Sequence, residues 1–347
     1  MMPDAFKFDP REGILEILDQ RGIPFEVSYL KCSTSDQVAE AITSMAVRGA
    51  PAIGIAAAFG VALDALRGRD VLEAIRVLGA TRPTAVNLFW ALNRMRSLAD
   101  LPGDRMADAM VEEALTIWRE DLAINRAIGR NGADLIPHEG VVITHCNTGS
   151  LATGGYGTAL GVIRSAAEQG KRIRVFVDET RPRLQGARLT AFELFNLGID
   201  FTVICDSMAS YLMSRVKVSC VIVGADRVAM NGDVANKVGT YSLAVGAHYH
   251  RVPFYVAAPL STFDPNCPSG DRIPIEERDP DEVRCVMGSE LFPPSYPIWN
   301  PSFDVTPGDL ISGIVTELGV LRPPYEASLA RALDLWKARS QSHRGGE

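Results

Sequence analysis

The sequence predicts an α/β fold, in which a parallel sheet in the C-terminal part follows a mainly helical N-terminal part with a small β hairpin. From about residue 138, short apolar runs alternate with helical segments of roughly 10–15 residues, which is typical of a parallel sheet with crossover helices. Before residue 130, a short alternating stretch precedes apolar residues spaced at three and four positions. We therefore predict two domains, residues 1–130 and residues 131–347.

In the first domain, residues 13–18 and 25–30 alternate between apolar and polar side chains around a turn at residues 20–22. This pattern predicts the hairpin. Helical periodicity is clearest further along, where one apolar stripe consists of Met110, Val111, Ala114, Leu115, Trp118 and Leu122. We expect this stripe to pack in the domain core.

In the second domain, five apolar runs predict parallel strands at residues 141–146, 173–178, 201–206, 218–226 and 253–259. Ligands of open parallel sheets bind outside the carboxyl ends of the strands. The runs end with Cys146, Asp178, Asp206 and Asp226, so titratable groups are expected along one edge. Aspartates at strand ends also serve as helix caps and turn formers, which is the structural alternative. Residues 262–307 form a proline-rich excursion that we expect to be ordered.

Composition and charge exclude several classes of protein. The 347 residues are 47% apolar and carry 35 Lys and Arg against 42 Asp and Glu, so no nucleic-acid partner is expected. The longest apolar run, residues 52–63, is shorter than the roughly 20 residues that span a bilayer, so no membrane segment is expected. The N-terminus shows no secretory signal pattern. We expect a cytoplasmic protein.

The six cysteines indicate neither a metal site nor a disulfide framework. They stand at positions 32, 146, 205, 220, 267 and 285, and no C-x-x-C pair occurs. His248 and His250 would diverge on the predicted helix, which favours surface positions over a chelate. We therefore expect no metal.

Cys146 precedes a Gly/Thr/Ser-rich loop at residues 147–157, which we expect to open a helix. Backbone amides at a helix start favour negative charge, whether of a phosphate or of a thiolate. The loop lacks the G-x-G-x-x-G pattern, and the chain has no G-x-x-x-x-G-K-[ST] motif, so nucleotide binding is not indicated. The alternative is that Cys146 is an inert small apolar residue.

Asp226 ends an almost wholly apolar run, where desolvation could keep its carboxyl group protonated and make it a general acid. An ion pair with Arg227 or a turn role is the alternative. In the N-terminal half, Arg48 lies beside small residues at a helix entry, and Arg82 precedes a second helix. An arginine fork among small residues suits a phosphate.

Five blocks of the sequence resemble one family. VRGAPAIG at residues 47–54, RPTAVNL at 82–88, CNTGSLA at 146–152, DETRPRLQG at 178–186 and GADR at 224–227 are similar to the methylthioribose-1-phosphate isomerases of methionine salvage. The wider family includes archaeal ribose-1,5-bisphosphate isomerases and the regulatory subunits of eukaryotic translation initiation factor two-B. The resemblance implies a helical N-terminal domain beside a Rossmann-like parallel sheet, a homodimer, and no metal or other cofactor.

The resemblance also implies roles for individual residues. It makes Cys146 a proton donor or base and Asp226 its acid partner. Substrate contacts are implied for Arg48, Gly49, Ala50, Arg82, Gln185, Asn236 and Lys237. The implied substrate is a sugar 1-phosphate, isomerised from an aldose to a ketose.

Three alternatives remain open from the sequence. The chain could act on ribose 1,5-bisphosphate, although no unassigned motif supplies cations for a second phosphate. It could act on 5-deoxyribose 1-phosphate, whose 5-substituent is also apolar. It could also be a non-catalytic regulatory subunit that binds a sugar phosphate or a protein, but the presence of both Cys146 and Asp226 favours an enzyme.

Overall fold

The chain crosses between two units of structure. The computed structural model describes residues 2–83 and 85–344. The first unit comprises Met1–Arg126 and Asn147–Gly157, and the second comprises Ala127–Cys146 and Thr158–Glu347. The polypeptide therefore leaves the second unit directly after Cys146 and returns to it at Thr158.

The first unit begins with an antiparallel sheet of β1 (Phe6–Asp9), β2 (Ile14–Leu18) and β3 (Tyr29–Cys32), in the order β1-β2-β3. β2 and β3 form the predicted hairpin, with Ile17 opposite Leu30. The second hairpin strand begins at Tyr29 instead of residue 25, and β1 was not predicted. The N–H groups of Phe25 and Glu26 both donate to the Gly22 carbonyl oxygen, so these residues belong to the turn, which explains the later start.

Four helices follow, α1 (Ser35–Thr43), α2 (Ala50–Leu66), α3 (Val71–Thr81) and α4 (Val86–Arg96), and then the long α5 (Gly103–Ala133). Every residue of α2 from Ala52 to Ala65 is buried, so the apolar run at residues 52–63 is a core helix. Small side chains let its neighbours approach closely: a Cβ on Gly54 would lie 2.8 Å from the Asn87 carbonyl oxygen on α4. The stripe predicted on α5 packs in this core through the buried Met110 and Ala114.

The second unit is built on a seven-stranded sheet. All five predicted runs form parallel strands, namely β4 (Glu139–Thr144), β5 (Arg172–Asp178), β6 (Asp200–Ile204), β7 (Cys220–Val223) and β10 (Phe254–Ala257). β14 (Gly313–Thr316) adds a sixth parallel strand, and β15 (Gly319–Leu321) is antiparallel to it. The sheet order is β15-β14-β10-β7-β4-β5-β6. Counted along the chain, the six parallel strands have the order 3-2-1-4-5-6 that Rossmann folds show.

Strand β7 is shorter than predicted, because it ends at Val223 and Asp226 lies beyond it. Both β7 and β10 are buried along their whole length, as expected for central strands of a parallel sheet. The helices of this unit are α6 (Ala159–Glu168), α7 (Ala191–Leu197), α8 (Ala209–Arg215), α9 (Thr240–Tyr249), α10 (Asp281–Arg284) and α11 (Tyr325–Arg344). None of the helices in the described part of the chain combines the length and apolarity needed to cross a membrane.

The excursion at residues 262–307 is ordered. It contains the short pair β11 (Cys285–Val286) and β12 (Ser289–Glu290), and it ends in β13 (Phe303–Thr306). β13 pairs with β9 (Val234–Lys237), which also pairs with β8 (Arg227–Val228). This second sheet therefore joins the end of the excursion to the segment that follows Asp226.

Candidate active site

Two predicted site residues follow neighbouring strands at the point where the strand order reverses. Cys146 lies two residues beyond β4, and Asp226 lies three residues beyond β7. The two strands are paired in parallel, so their carboxyl ends lie at the same edge. Open α/β sheets bind ligands in the crevice at such a switch point. The topology thus brings a thiol and a carboxylate to the position in the sheet where ligands bind.

Cys146 has an unusual backbone for a side chain other than glycine, with φ at +64°. Its side chain is buried. The Cys146 N–H donates to Oγ1 of Thr180 at 2.8 Å, and its carbonyl oxygen accepts from Oγ1 of Thr190 at 2.6 Å. The loop after Cys146 differs from the prediction: it forms only a short 3-10 turn at Ser150–Ala152, and α6 begins at Ala159. No helix N-terminus follows Cys146 directly, because the chain first enters the other unit.

His145 lies next to Cys146 and is fully buried. Its Nδ1 is 3.0 Å from Oδ2 of Asp178, and its Nε2 is 2.9 Å from the carbonyl oxygen of Val238. The Val238 carbonyl oxygen can only accept, so Nε2 carries a proton, and the Nδ1–Oδ2 contact shares a proton between the ring and Asp178. Burial by itself lowers the pKa of His145, but its hydrogen bond to Asp178 and the charge of that carboxylate outweigh burial and raise the pKa. His145 is not among the residues that the sequence predicts for the site, although its place between an apolar strand and Cys146 was an available signal.

His145, Asp178 and Asp206 hold potential metal ligand atoms within 4.8 Å of one another. Both nitrogens of His145 are engaged, and Oδ1 and Oδ2 of Asp206 accept from the backbone N–H groups of Thr180 and Arg181, each at 2.8 Å. Oδ1 of Asp178 is buried and has no hydrogen-bond partner within the described part of the chain. Asp206 therefore acts as a turn former, which was the structural alternative for aspartates at strand ends: its carboxylate fixes the loop at Thr180 and Arg181.

Asn236 and Lys237 lie in the small sheet of β13, β9 and β8, and Asp226 directly precedes β8. The Asp226 N–H donates to the carbonyl oxygen of Ala235 in β9, and Asn236 and Lys237 are the next two residues of that strand. Asn236 donates from Nδ2 to Oγ1 of Thr240 at 3.0 Å. Lys237 donates from Nζ to the Ser302 carbonyl oxygen at 2.7 Å, and it is buried. The structure thus brings these three predicted residues together.

Two neighbouring features bear on the predicted residues Asp226 and Gln185. Arg227, the alternative ion-pair partner for Asp226, pairs with Asp264 at 3.4 Å.

Gln185 is buried and precedes a π-helical turn at Gly186–Thr190, and its Oε1 has no hydrogen-bond partner among the residues described. A Cβ on Gly186 would lie 1.8 Å from the Asp178 carbonyl oxygen, so the turn packs against the end of β5. Gln185 therefore lies near the same edge of the sheet.

The first unit holds the other predicted residues. Arg48 donates from its guanidinium to the carbonyl oxygen of Asn147 at 3.2 Å and to Oδ1 of the same residue. Gly49 has φ at +99°, and a Cβ there would lie 2.6 Å from the Ala152 backbone. Ala50 is the first residue of α2, which confirms that Arg48 lies at a helix entry. Arg82 lies between α3 and α4, four residues before α4 begins.

A cavity of about 1060 Å³ lies at the opposite edge of the large sheet. Its lining includes Glu139, Arg172 and Asp200, the first residues of β4, β5 and β6. Cations here are paired locally, as in Arg172 with Glu139 and Arg164 with Glu168. None of the predicted site residues is in this lining, so the cavity is separate from the switch-point edge.

Comparison with known proteins gives concordant matches along the chain. Residues 46–323 match the model of the initiation factor 2 subunit family. A methylthioribose-1-phosphate isomerase from Pelotomaculum thermopropionicum is 54% identical over 336 residues, which are 93% of this chain and 92% of that protein. Another from Syntrophotalea carbinolica is 56% identical over 336 residues, with 92% and 97% covered. These matches confirm the resemblance that the five blocks predicted.

Solved structures show the same relationship. The 5-methylthioribose 1-phosphate isomerase of Pyrococcus horikoshii OT3 superposes with a TM-score of 0.89 at 43% identity, and 96% of each chain is covered. A structure titled as the delta subunit of translation initiation factor eIF-2B from A. fulgidus has a TM-score of 0.84 at 41% identity, covering 96% of this chain and all of that one. With the family model matched over residues 46–323 and these relatives, the chain belongs to the initiation factor 2 subunit family.

Proposed function

We propose that this protein is an aldose–ketose isomerase that converts 5-methylthioribose 1-phosphate into 5-methylthioribulose 1-phosphate in methionine salvage. The observation that carries the proposal is the position of Cys146 and Asp226 after neighbouring strands at the switch point of the sheet. The substrate is inferred from relatives that are more than half identical over most of both chains.

The substrate makes an acid necessary. Its phosphate blocks the anomeric oxygen, so the sugar ring cannot open spontaneously to a free aldehyde. The bond between C1 and the ring oxygen must be cleaved, and the ring oxygen must gain a proton as the bond breaks. We assign this proton to Asp226, which is partly buried and is held through its backbone by β9.

After ring opening, hydrogen must move from C2 to C1. Cys146 as a thiolate would remove the C2 proton, form an enol phosphate and return a proton to C1. A direct hydride shift from C2 to C1 is the alternative, and Cys146 would then have another role. Substrate deuterated at C2 separates the two routes: loss of label to solvent supports proton transfer, whereas full retention at C1 together with appreciable activity in Cys146→Ser supports the hydride shift.

We assign the phosphate contacts to Arg48, Arg82 and Lys237. The N-terminus of α2 supports this assignment, because Gly49 and Ala50 provide backbone amides where the helix dipole favours an anion. Gln185 and Asn236 complete the proposed substrate contacts. The buried Oε1 of Gln185 offers an acceptor for a sugar hydroxyl.

The decisive experiment is steady-state turnover of purified protein with 5-methylthioribose 1-phosphate. Asp226→Asn should abolish turnover and leave substrate affinity within about tenfold, because the amide keeps the shape and cannot donate the proton. Cys146→Ser should be nearly inactive, because a hydroxyl is a weak base at neutral pH. Asp309→Asn and Cys285→Ser are matched controls outside the proposed site. Wild-type kcat in Asp226→Asn would remove that residue from the mechanism.

The same assay distinguishes the alternatives. The structural match to a protein titled as an initiation factor subunit favours one of them, a non-catalytic subunit, which would bind a sugar phosphate without turning it over. Parallel measurements with ribose 1,5-bisphosphate and 5-deoxyribose 1-phosphate rank the substrates by kcat/KM. A higher kcat/KM for either one than for the methylthio sugar would replace the proposed substrate.

We further propose that the enzyme works as a cytoplasmic homodimer without a metal or other cofactor, as its resemblance to the isomerases implies. The engaged donor atoms of His145 and Asp206 support the absence of a metal requirement. Light scattering of the purified protein measures its mass, for which a dimer predicts twice 37.6 kDa. Turnover should be unchanged after dialysis against a chelator, and a loss restored by added metal would contradict the proposal.

A further inference from the structure

Cys146 is held in a backbone conformation that residues other than glycine rarely adopt. Its φ of +64° places it in the left-handed region, where the Cβ is crowded by the backbone. Such residues persist only where their surroundings hold them, and they concentrate at functional sites. The groups that bind the Cys146 backbone therefore matter for its function.

Two threonine hydroxyls bind the two backbone polar groups of Cys146. Thr180 accepts the Cys146 N–H at 2.8 Å, and Thr190 donates to the Cys146 carbonyl oxygen at 2.6 Å. Both threonines are at most 1% exposed, so water does not compete for these bonds. Cys146 lies beyond the end of β4, so side chains provide the bonds that a strand ladder would otherwise supply.

A second contact fixes the orientation of the Thr180 hydroxyl. The Thr180 hydroxyl donates its hydrogen to the Asp178 carbonyl oxygen at 3.0 Å, which leaves its lone pairs to accept from Cys146. Thr180 is itself left-handed, with φ at +64°, and Asp206 accepts its backbone N–H at 2.8 Å. The hydroxyl that holds Cys146 is thus itself fixed from two sides.

Thr190 is positioned by the turn in which it lies. It is the last residue of the π-helical turn Gly186–Thr190, a kind of turn that recurs at functional sites. Gly186 at the start of this turn lies against the Asp178 carbonyl, where no side chain fits. Both threonines are therefore anchored to the end of β5, the strand next to β4.

We propose that Thr180 and Thr190 are positioning residues that hold Cys146 in its left-handed conformation and so set the direction of its thiol. The catalytic consequence depends on the proposed isomerase function, whereas the effect on the thiol does not. A hydroxyl-specific role predicts that threonine and serine are equivalent at these positions and that valine, which has the shape of threonine without its hydrogen bond, is not.

The experiment compares Thr180→Val and Thr190→Val with Thr180→Ser and Thr190→Ser. Thr306→Val is the matched control, because Thr306 is buried and its hydroxyl makes no hydrogen bond within the described part of the chain. Misplacing a reacting group by about 1 Å can cost roughly 100-fold in rate. We expect each valine variant to lose about that factor in kcat with KM within about threefold, and each serine variant to stay near wild type.

A second readout does not require turnover. Alkylation of the Cys146 thiol by iodoacetamide, followed by mass spectrometry of its peptide, should accelerate at least about threefold in the valine variants, because release of the backbone frees a buried thiol. It should stay at the wild-type rate in the serine variants and in Thr306→Val. If the wild-type protein turns over no sugar phosphate, the alkylation rates by themselves decide the proposal.

Thermal unfolding of each variant identifies any that fail to fold, and Thr180→Ala and Thr190→Ala then take their place. Unchanged kcat and unchanged alkylation in folded valine or alanine variants would overturn the proposal. Equal losses in the valine and serine variants would also overturn it, because such losses would reflect packing and not the hydroxyl.

Discussion

The imidazole of His145 and the carboxylate of Asp178 form a buried pair, with 3.0 Å between Nδ1 and Oδ2. The other ring nitrogen of His145 donates to the carbonyl oxygen of Val238, one residue after Lys237. A Cβ on Gly239 would lie 2.7 Å from the His145 ring, so the backbone closes tightly over it. The imidazole therefore links the end of β5 to the segment after β9.

This pair predicts that the free energy of unfolding falls as the pH rises above about 6.5. Because the folded-state pKa of His145 is raised above its ordinary value of 6.5, its contribution is complete below about pH 6.5 and is lost as the pH rises through the folded-state pKa. The slope from one proton is about 1.4 kcal/mol per pH unit. Unfolding by urea at a series of pH values should show the decline in wild type and in His248→Gln, which alters an exposed histidine. A decline of equal size in His145→Gln would contradict the assignment.

Asp121 predicts a second pH effect in a lower range. It is partly buried on α5, where desolvation raises its pKa from 3.8 to about 7, although its Oδ2 accepts the Gly154 N–H at 2.6 Å. A raised carboxyl pKa means that the folded state holds the proton more tightly, so stability falls as the pH rises from about 4 to about 7. Asp121→Asn should remove this fall, and Asp108→Asn, at an exposed position of the same helix, should retain it. Identical pH profiles of unfolding free energy in the two variants would refute the prediction.

Gly49 and Gly68 form a natural pair for testing close packing. Both have positive φ, at +99° and +64°, but a Cβ on Gly49 would meet the Ala152 backbone at 2.6 Å, whereas nothing lies within 4 Å of one on Gly68. Gly68→Ala should cost roughly 1 kcal/mol through backbone strain alone. Gly49→Ala should cost about 3 kcal/mol, because the clash with Ala152 is added to the strain. Equal costs in urea unfolding would show that the approach to Ala152 is not tight.

The proposed phosphate contacts predict a specific kinetic change. Arg48→Ala and Lys237→Ala should each raise KM by about 10- to 100-fold, because each removes a charge-assisted hydrogen bond to the phosphate. Arg96→Ala, at an exposed position on α4, is the control and should leave KM unchanged. Normal saturation behaviour in both variants would show that the phosphate lies elsewhere.

Much of the framework follows from local patterns. The five apolar runs of the second domain are all strands, and the first hairpin strand and the apolar stripe of α5 are where their periodicities predict them, whereas the second hairpin strand begins at Tyr29 instead of residue 25. The places of Cys146 and Asp226 after two of these strands follow as well. These features depend on neighbouring residues, because burial of one face or of a whole strand imposes a pattern on a short segment. Errors arose at segment ends, as in β7, where Asp226 lies outside the strand.

The tertiary structure alone decided which groups hold the candidate catalytic residues. Cys146 is bound by Thr180 and Thr190, which lie 34 and 44 positions away, and Arg48 binds Asn147 at a separation of 99. The order of the strands, which makes β4 and β7 neighbours, is likewise absent from any local pattern. Hydrogen-bond partners depend on where the folded chain places each donor and acceptor, and a threonine that binds a distant backbone has the same local sequence signal as one that binds nothing. The sequence by itself determined the segments and the reactive residue types, and the packing of strands against one another determined the partners that give those residues their geometry.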